Sequence, residues 1–169
     1  MKTALVVIDV QQSLMDEGIW QSEALLGRIN KLLGKARLAQ APVVLVADNR
    51  IEPDASFHPA LERQVGDIEI EKSVCDAFMD TALDAMLQAQ DVRKLVICGL
   101  QTDYCIDTSC RQAAALGYDV VLVADAHSTL DSGALKAKQI IAHHNHILRH
   151  FDSAKGRVRV QPISDIQFA

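Results

Sequence analysis

The segment Cys98-Gly99-Leu100-Gln101-Thr102-Asp103-Tyr104-Cys105 has the residue types and spacing of a nucleophile set at the start of a helix. An apolar run, Lys94-Leu95-Val96-Ile97-Cys98, ends in Gly99, and a helical pattern through Ala113, Ala114 and Leu116 stops at Gly117. Thr102 or Asp103 is placed to cap that helix, leaving Cys105 in its first turn. Unpaired N–H groups and the helix dipole there favour a thiolate over a thiol. The same N–H groups can receive the oxyanion of an attacked carbonyl. A thiolate nucleophile needs a proton acceptor and usually a cation. Asp9 ends the run Ala4-Leu5-Val6-Val7-Ile8, where partial burial raises a carboxylate toward a useful base. Lys72 follows the alternating stretch Ile68-Glu69-Ile70-Glu71 and can supply the positive charge. Read singly, these residues are a loop carboxylate, a surface lysine and a packed thiol. Cys110 and Cys98 read as core, and Cys75 has only Lys72 as a cation near it in sequence.

Positioning such groups requires a rigid frame, and the pattern supplies one. Val43-Val44-Leu45-Val46-Ala47 ends in Asp48, and Asp119-Val120-Val121-Leu122-Val123-Ala124 ends in Asp125. Unbroken apolar runs of this kind are strands buried on both faces, as in a parallel sheet under two helical layers. Leu25, Ile29, Leu32, Leu33 and Ala36 make one face of a helix over roughly residues 22–40. Ala82, Leu83, Met86 and Leu87 make another. Ile140, Ile141, His144, Ile147, Leu148 and Phe151 stripe a later one, with His144 expected in the core. Arg157-Val158-Arg159-Val160 alternates and suits an edge strand. The expected fold is a single α/β domain over residues 1–169, doubly wound, with a mainly parallel sheet and helices on both faces. Ligands bind such sheets at the carboxyl ends of the strands, where Asp9, Asp48, the loop after Gly99 and Asp125 lie. The long stretch from Asn49 to Gly66, with Pro53 and Pro59, is placed to cover a site.

Composition removes other classes. The chain has 169 residues, 49% apolar and 23% charged, with a net charge of −5. Without a basic cluster or many aromatics, nucleic acid is not an expected partner. No G-x-G-x-x-G, P-loop or G-x-S-x-G motif occurs. Only five apolar residues separate Met1-Lys2-Thr3 from Asp9, too few for an export signal or a membrane span. The four cysteines form no C-x-x-C pair, so reduced thiols and a cytoplasmic location are expected.

Several segments resemble the isochorismatase-like cysteine hydrolases, which include nicotinamidases and N-carbamoyl amidases. They are Leu5-Val6-Val7-Ile8-Asp9-Val10-Gln11, Glu71-Lys72-Ser73-Val74-Cys75-Asp76-Ala77-Phe78, and Gly99 to Cys105. Gly117-Tyr118-Asp119-Val120, Asp125-Ala126 and His143-His144-Asn145 extend the match. The resemblance implies Asp9 as general base, Lys72 as its cationic partner and Cys105 as nucleophile. It implies an oxyanion hole from the backbone N–H groups of Gln101 and Cys105, with a cis peptide at Leu100–Gln101. It also implies a homo-oligomer. Cys105, where isochorismate-cleaving members have glycine, favours cleavage of a C–N bond in a small amide, ureido or carbamoyl compound.

The chain departs from the family around the pocket. Asp48 is kept from the metal site of the nicotinamidase branch, but Arg50 and Ser56 stand where histidines are expected, with His58 nearby. Leu14 and Met15 replace an aromatic, and Gln101 is bulkier than the usual residue. No metal and no cofactor are therefore expected, with Arg50 free to grip a substrate carboxylate. Gln11, Trp20, Phe57, Phe78 and Tyr104 are further candidates to line the pocket. His143, His146 and His150 have metal-binding spacing but read better as a polar helix flank, and Asp125-Ala126-His127 reads as structural. The alternative to an enzyme is a silent or phosphoacceptor-like domain binding at the same strand ends. A phosphoacceptor needs a second acid after Asp9, and Val10-Gln11 lacks it.

Overall fold

The central strands are buried on both faces, and the alternation of their side chains shows how. In the computed structural model, which describes residues 1–168, β1 (Thr3–Ile8) sends Ala4, Val6 and Ile8 into one apolar layer and Leu5 and Val7 into the other. β2 (Val43–Asp48) divides Val44 and Val46 from Val43 and Leu45 in the same way. Helix α2 (Ser22–Leu38) covers one face with Leu25, Ile29, Leu32, Leu33 and Ala36. Helices α3 (Leu83–Ala89) and α4 (Asp107–Leu116) cover the other with Leu83, Leu87, Cys110, Ala113 and Ala114. A period-two strand pattern thus meets two period-3.6 helix patterns, and burial on this scale drives the fold.

With β3 (Ile68–Lys72), β4 (Lys94–Leu100), β5 (Asp119–Ser128), β6 (Phe151–Asp152) and β7 (Arg157–Gln161), the sheet has the order β3-β2-β1-β4-β5-β7-β6. All neighbours are parallel except β6 with β7. The order reverses between β1 and β4, the place where open α/β sheets part at their carboxyl ends. A further helix, α1 (Gln12–Asp16), follows β1, and α5 (Ala137–Leu148) precedes β6. No helix among the described residues is long and apolar enough to cross a membrane.

Five sequence expectations change. The Arg157 strand is not at the edge, because the two-residue β6 pairs outside it. β5 does not stop at Asp125 but runs to Ser128 across an irregularity against β4. Leu116 is exposed rather than on the buried face of α4. His144 is half-buried, its Nδ1 2.8 Å from the Ile140 carbonyl oxygen, and Phe151 belongs to β6 rather than to α5.

Gly99 lets β4 close against β1. Its φ is +119°, and a Cβ there would lie 2.1 Å from the Ile8 carbonyl oxygen. The obstacle is backbone of the neighbouring strand and cannot rotate aside. Gly99→Ala is therefore expected to lower unfolding stability by at least about 3 kcal/mol, combining left-handed strain with overlap. Urea denaturation measures this, and a loss below about 1 kcal/mol would show that the strands can part without cost.

Candidate active site

Three strand ends and one turn converge on the Lys72 ammonium. Lys72 closes β3 and pairs in register with Asp48, the last residue of β2. Asp9 follows β1 with φ 56° and is held there by its N–H bond to the Val46 carbonyl (2.9 Å). An aspartate tolerates that left-handed conformation better than most residues. Lys72 Nζ lies 3.0 Å from Asp9 Oδ2, 2.9 Å from Asp48 Oδ2 and 3.2 Å from Cys105 Sγ. The lysine side chain has 0% exposure, so these partners take the place of its water.

The two carboxylates are neutralised unequally. Asp48 also receives Arg50 through Nε (3.0 Å), Nη2 (2.7 Å) and the backbone N–H (2.9 Å). Burial pushes Asp48 up, but the bonds from Arg50 and Lys72 outweigh it and hold this carboxyl well below the usual range. Asp9 has Lys72 alone as its cation, and its Oδ1 is buried without a hydrogen-bond partner. Burial raises Asp9 from 3.8 to about 6, against the lowering effect of Lys72 and the Cys105 thiol. On Lys72 burial acts downward, but the Asp9 charge and the hydrogen bonds to Asp48 and Asp9 outweigh it and raise the ammonium to about 12. Two acids with pKa values driven apart are the usual mark of divided labour, one fixed as an anion and one able to exchange a proton.

Cys105 lies not in an ordinary first helical turn but in a π-helical turn, Thr102–Ile106, after which α4 begins at Asp107. The Gln101 carbonyl accepts from the N–H groups of Tyr104 and Ile106, bracketing Cys105. Neither expected cap forms: the Thr102 hydroxyl reaches His127, and the Asp103 carboxylate accepts from Thr129. The Leu100–Gln101 peptide is cis. Burial and the Asp9 carboxylate push the Cys105 thiol up, while Lys72 pulls it down. Burial and the neighbouring carboxylate thus favour the thiol at this turn, in contrast to the thiolate expected of an ordinary helix start.

Asp9 and Cys105 face a cavity of about 380 Å³. Asp48, Arg50, Gln101 and Tyr104 also line it. Leu14, Ile51 and Cys75 complete the wall, the last two not singled out by sequence. Cys75 stands three residues past Lys72, a proximity that is its one sequence signal.

Four candidate lining residues lie elsewhere. Trp20 walls a different cavity of about 280 Å³, beside Leu25, Arg28, His127 and Asn145. Gln11 is buried and acts on the backbone: Nε2 donates to the carbonyls of Asp48 (2.9 Å) and Ala55 (2.7 Å), while Oε1 accepts from the Asp48 N–H (2.8 Å). Phe57 bridges Gln11 through the backbone, and its ring packs under Arg63 and against the α2 layer. Phe78 stacks on Tyr118 in the core. Asp125 is likewise removed from the site, its Oδ1 accepting from the Ile163 N–H.

The donor set around Asp48 does not fit the divalent metal of the nicotinamidase branch. Asp48 already faces an ammonium and a guanidinium, and a second cation there would meet two fixed positive charges. Among the described residues, the only group of three ligand-type side chains is Asp9, Asp48 and Cys105, within 4.8 Å of one another. Lys72 is the cation shared by all three. His58 and the stripe of His143, His146 and His150 belong to no such group.

A mainly parallel α/β sheet with a buried Asp–Lys–Cys cluster at its switch point is the arrangement to compare with known proteins. An isochorismatase domain matches residues 3–142, and the chain belongs to the isochorismatase family. It is 34% identical over 138 residues to streptothricin hydrolase of Streptomyces noursei, covering 76% of this chain and 50% of that protein. The chain thus matches half the length of that relative. It is 31% identical over 80 residues to ureidoacrylate amidohydrolase of Variovorax paradoxus, covering 47% of this chain and 32% of that one. A crystal structure of an isochorismatase from Pseudomonas putida KT2440 superposes with a TM-score of 0.86 at 26% identity, covering 98% and 90% of the two chains.

The raised Asp9 carboxyl has a consequence for stability. Because its folded pKa exceeds its ordinary one, its contribution is fully present below about 3.8 and is lost as pH rises through about 6. His127, lowered by burial to about 4, acts in the opposite sense over nearly the same window, so the informative quantity is a difference. The stability of Asp9→Asn relative to the parent should rise between pH 4 and 6.5, followed by urea denaturation at each pH. A constant difference across that window would mean that Asp9 titrates normally.

Proposed function

We propose that the protein is a cysteine hydrolase that cleaves a C–N bond of a small amide, ureido or carbamoyl compound through a thioester. The observation that carries this reading is the contact of Lys72 Nζ with Asp9, Asp48 and Cys105 Sγ beneath a cavity that both Asp9 and Cys105 line. Asp9 takes the Cys105 proton as Sγ attacks the carbonyl carbon. The Lys72 ammonium, 3.2 Å away, stabilises the thiolate on the order of 5 kcal/mol at an effective dielectric near 20. The carbonyl oxygen becomes an oxyanion, received by the backbone N–H groups of Gln101 and Cys105. Asp9 passes its proton to the departing nitrogen, the C–N bond breaks, and ammonia or an amine leaves. Asp9 then takes a proton from water as the hydroxide attacks the thioester. The tetrahedral intermediate expels the Cys105 thiolate, which regains the proton from Asp9.

The oxygen Asp9 Oδ1 suits this exchange, being buried, unpartnered and part of a carboxyl raised to about 6. Arg50, with 52% side-chain exposure, can exchange Asp48 for a substrate carboxylate, and Tyr104 stands 56% exposed on the same cavity. The amidohydrolase named among its relatives supports an amide-type bond.

Ammonia release across a panel of small amides and ureides identifies a substrate. On it, Cys105→Ala should lower kcat/KM by at least about 10³-fold, and rapid quenching of the parent should give a mass adduct on Cys105. Full activity in Cys105→Ala sinks the assignment. Dialysis against a chelator should leave the rate within about twofold, because the cation in the site is an amine. Activity that disappears and returns only with added divalent metal contradicts that part of the reading.

A further inference from the structure

Behind the Cys105 turn runs a chain of buried hydrogen bonds with no part in the proton transfers. Asn145 Nδ2 donates to the Ala124 carbonyl (3.0 Å), which turns the amide so that Oδ1 lies 2.8 Å from His127 Nε2. An amide oxygen only accepts, so Nε2 carries the imidazole proton and Nδ1 is bare. Thr102 Oγ1, 2.8 Å from Nδ1, must then be the donor. Thr102 is fully buried and His127 is 3% exposed. Burial also keeps the ring neutral near pH 7, as this arrangement requires.

The chain ends at an informative place. Thr102 is the first residue of the π-turn and follows Gln101 directly. One place inside the turn, past the N-cap Gln101, its hydroxyl is committed to His127 on β5. That hydroxyl ties the corner of the turn to the sheet between Gln101 and Cys105, the two proposed oxyanion donors.

We propose that Thr102 and His127 are positioning residues that hold the N–H groups of Gln101 and Cys105 in the geometry the oxyanion needs, with Asn145 as the anchor of the pair. The proposal rests on the hydrolase reading above. An oxyanion hole works by preorganisation, so a turn free to relax loses transition-state stabilisation while substrate binding is left nearly unchanged.

Thr102→Val keeps the shape and removes the hydroxyl. It is expected to lower kcat at least about tenfold with KM within about twofold, and Thr102→Ser should recover most of the loss. Alkylation of Cys105 by iodoacetamide should stay within about twofold, because Lys72 and Asp9 are untouched. A folded Thr102→Val with parental kcat overturns the proposal. So does a kcat loss matched by an equal loss of Cys105 alkylation, which would place the damage in the Asp9–Lys72–Cys105 cluster. If Thr102→Val does not fold, Asn145→Ala replaces it, and parental kcat there overturns the proposal equally. Failure of the underlying reading shows separately, as activity surviving in Cys105→Ala.

Discussion

One buried ammonium organises this molecule. A lysine with no access to water is tolerable only where opposite charges stand within hydrogen-bond distance, and removal of any partner leaves an uncompensated charge. Lys72 meets that condition through the ends of three adjacent parallel strands, β3, β2 and β1, which brings Asp48 and Asp9 to the same point. The surrounding contacts keep it so. Gln11 grips the backbone of Asp48 on both its N–H and its carbonyl, and Gly99 lets β4 carry the Cys105 turn close to β1. The four charges of Asp9, Asp48, Lys72 and Arg50 cancel, yet they are not equivalent. Asp48 has two cations and three hydrogen bonds from Arg50. Asp9 has one cation and a bare oxygen. That asymmetry makes Asp48 a fixed counter-ion and leaves Asp9 able to take a proton.

Much of this was legible before any coordinates, for a definite reason. Apolar runs that stop at a charged residue place Asp9 and Asp48 at the carboxyl ends of buried strands, and the glycine before Leu100 marks where the chain turns beside them. The convergence of Asp9, Lys72 and Cys105 was what the family resemblance of three ordered motifs implied; the residues read singly did not require it. Side-chain direction was less accessible. Trp20 and Phe57 are near the site in sequence, but one falls beside α5 and the other beneath Arg63. Gln11, a polar residue two places past Asp9, spends its amide on backbone groups, a use that composition and periodicity do not distinguish from ligand binding. The edge strand β6 depends on the pairing of Phe151 with Val158, not on local pattern, and the π-turn rests on one wide bond, from the Ile106 N–H to the Gln101 carbonyl, that residue types do not announce.

Under the proposed hydrolase reading, the partners already filled within the protein decide where selectivity lies. Lys72 and the Asp48 carboxylate have their strong bonds filled from within the protein, so neither has capacity left to recognise a ligand. What remains for a substrate near the thiol is Asp9 Oδ1, Cys105 Sγ and backbone N–H groups, which can address any planar carbonyl compound. On that proposed reading, discrimination falls to the remaining walls of the cavity: Arg50, the exposed Tyr104, and the apolar or weakly polar faces of Leu14, Ile51 and Cys75. These come from α1, from the loops after β2 and β3, and from the turn after β4, not from the strands that hold the charge cluster. Loop changes can therefore alter the ligand without disturbing the buried ammonium, and a shared charge cluster in this family does not by itself imply a shared substrate.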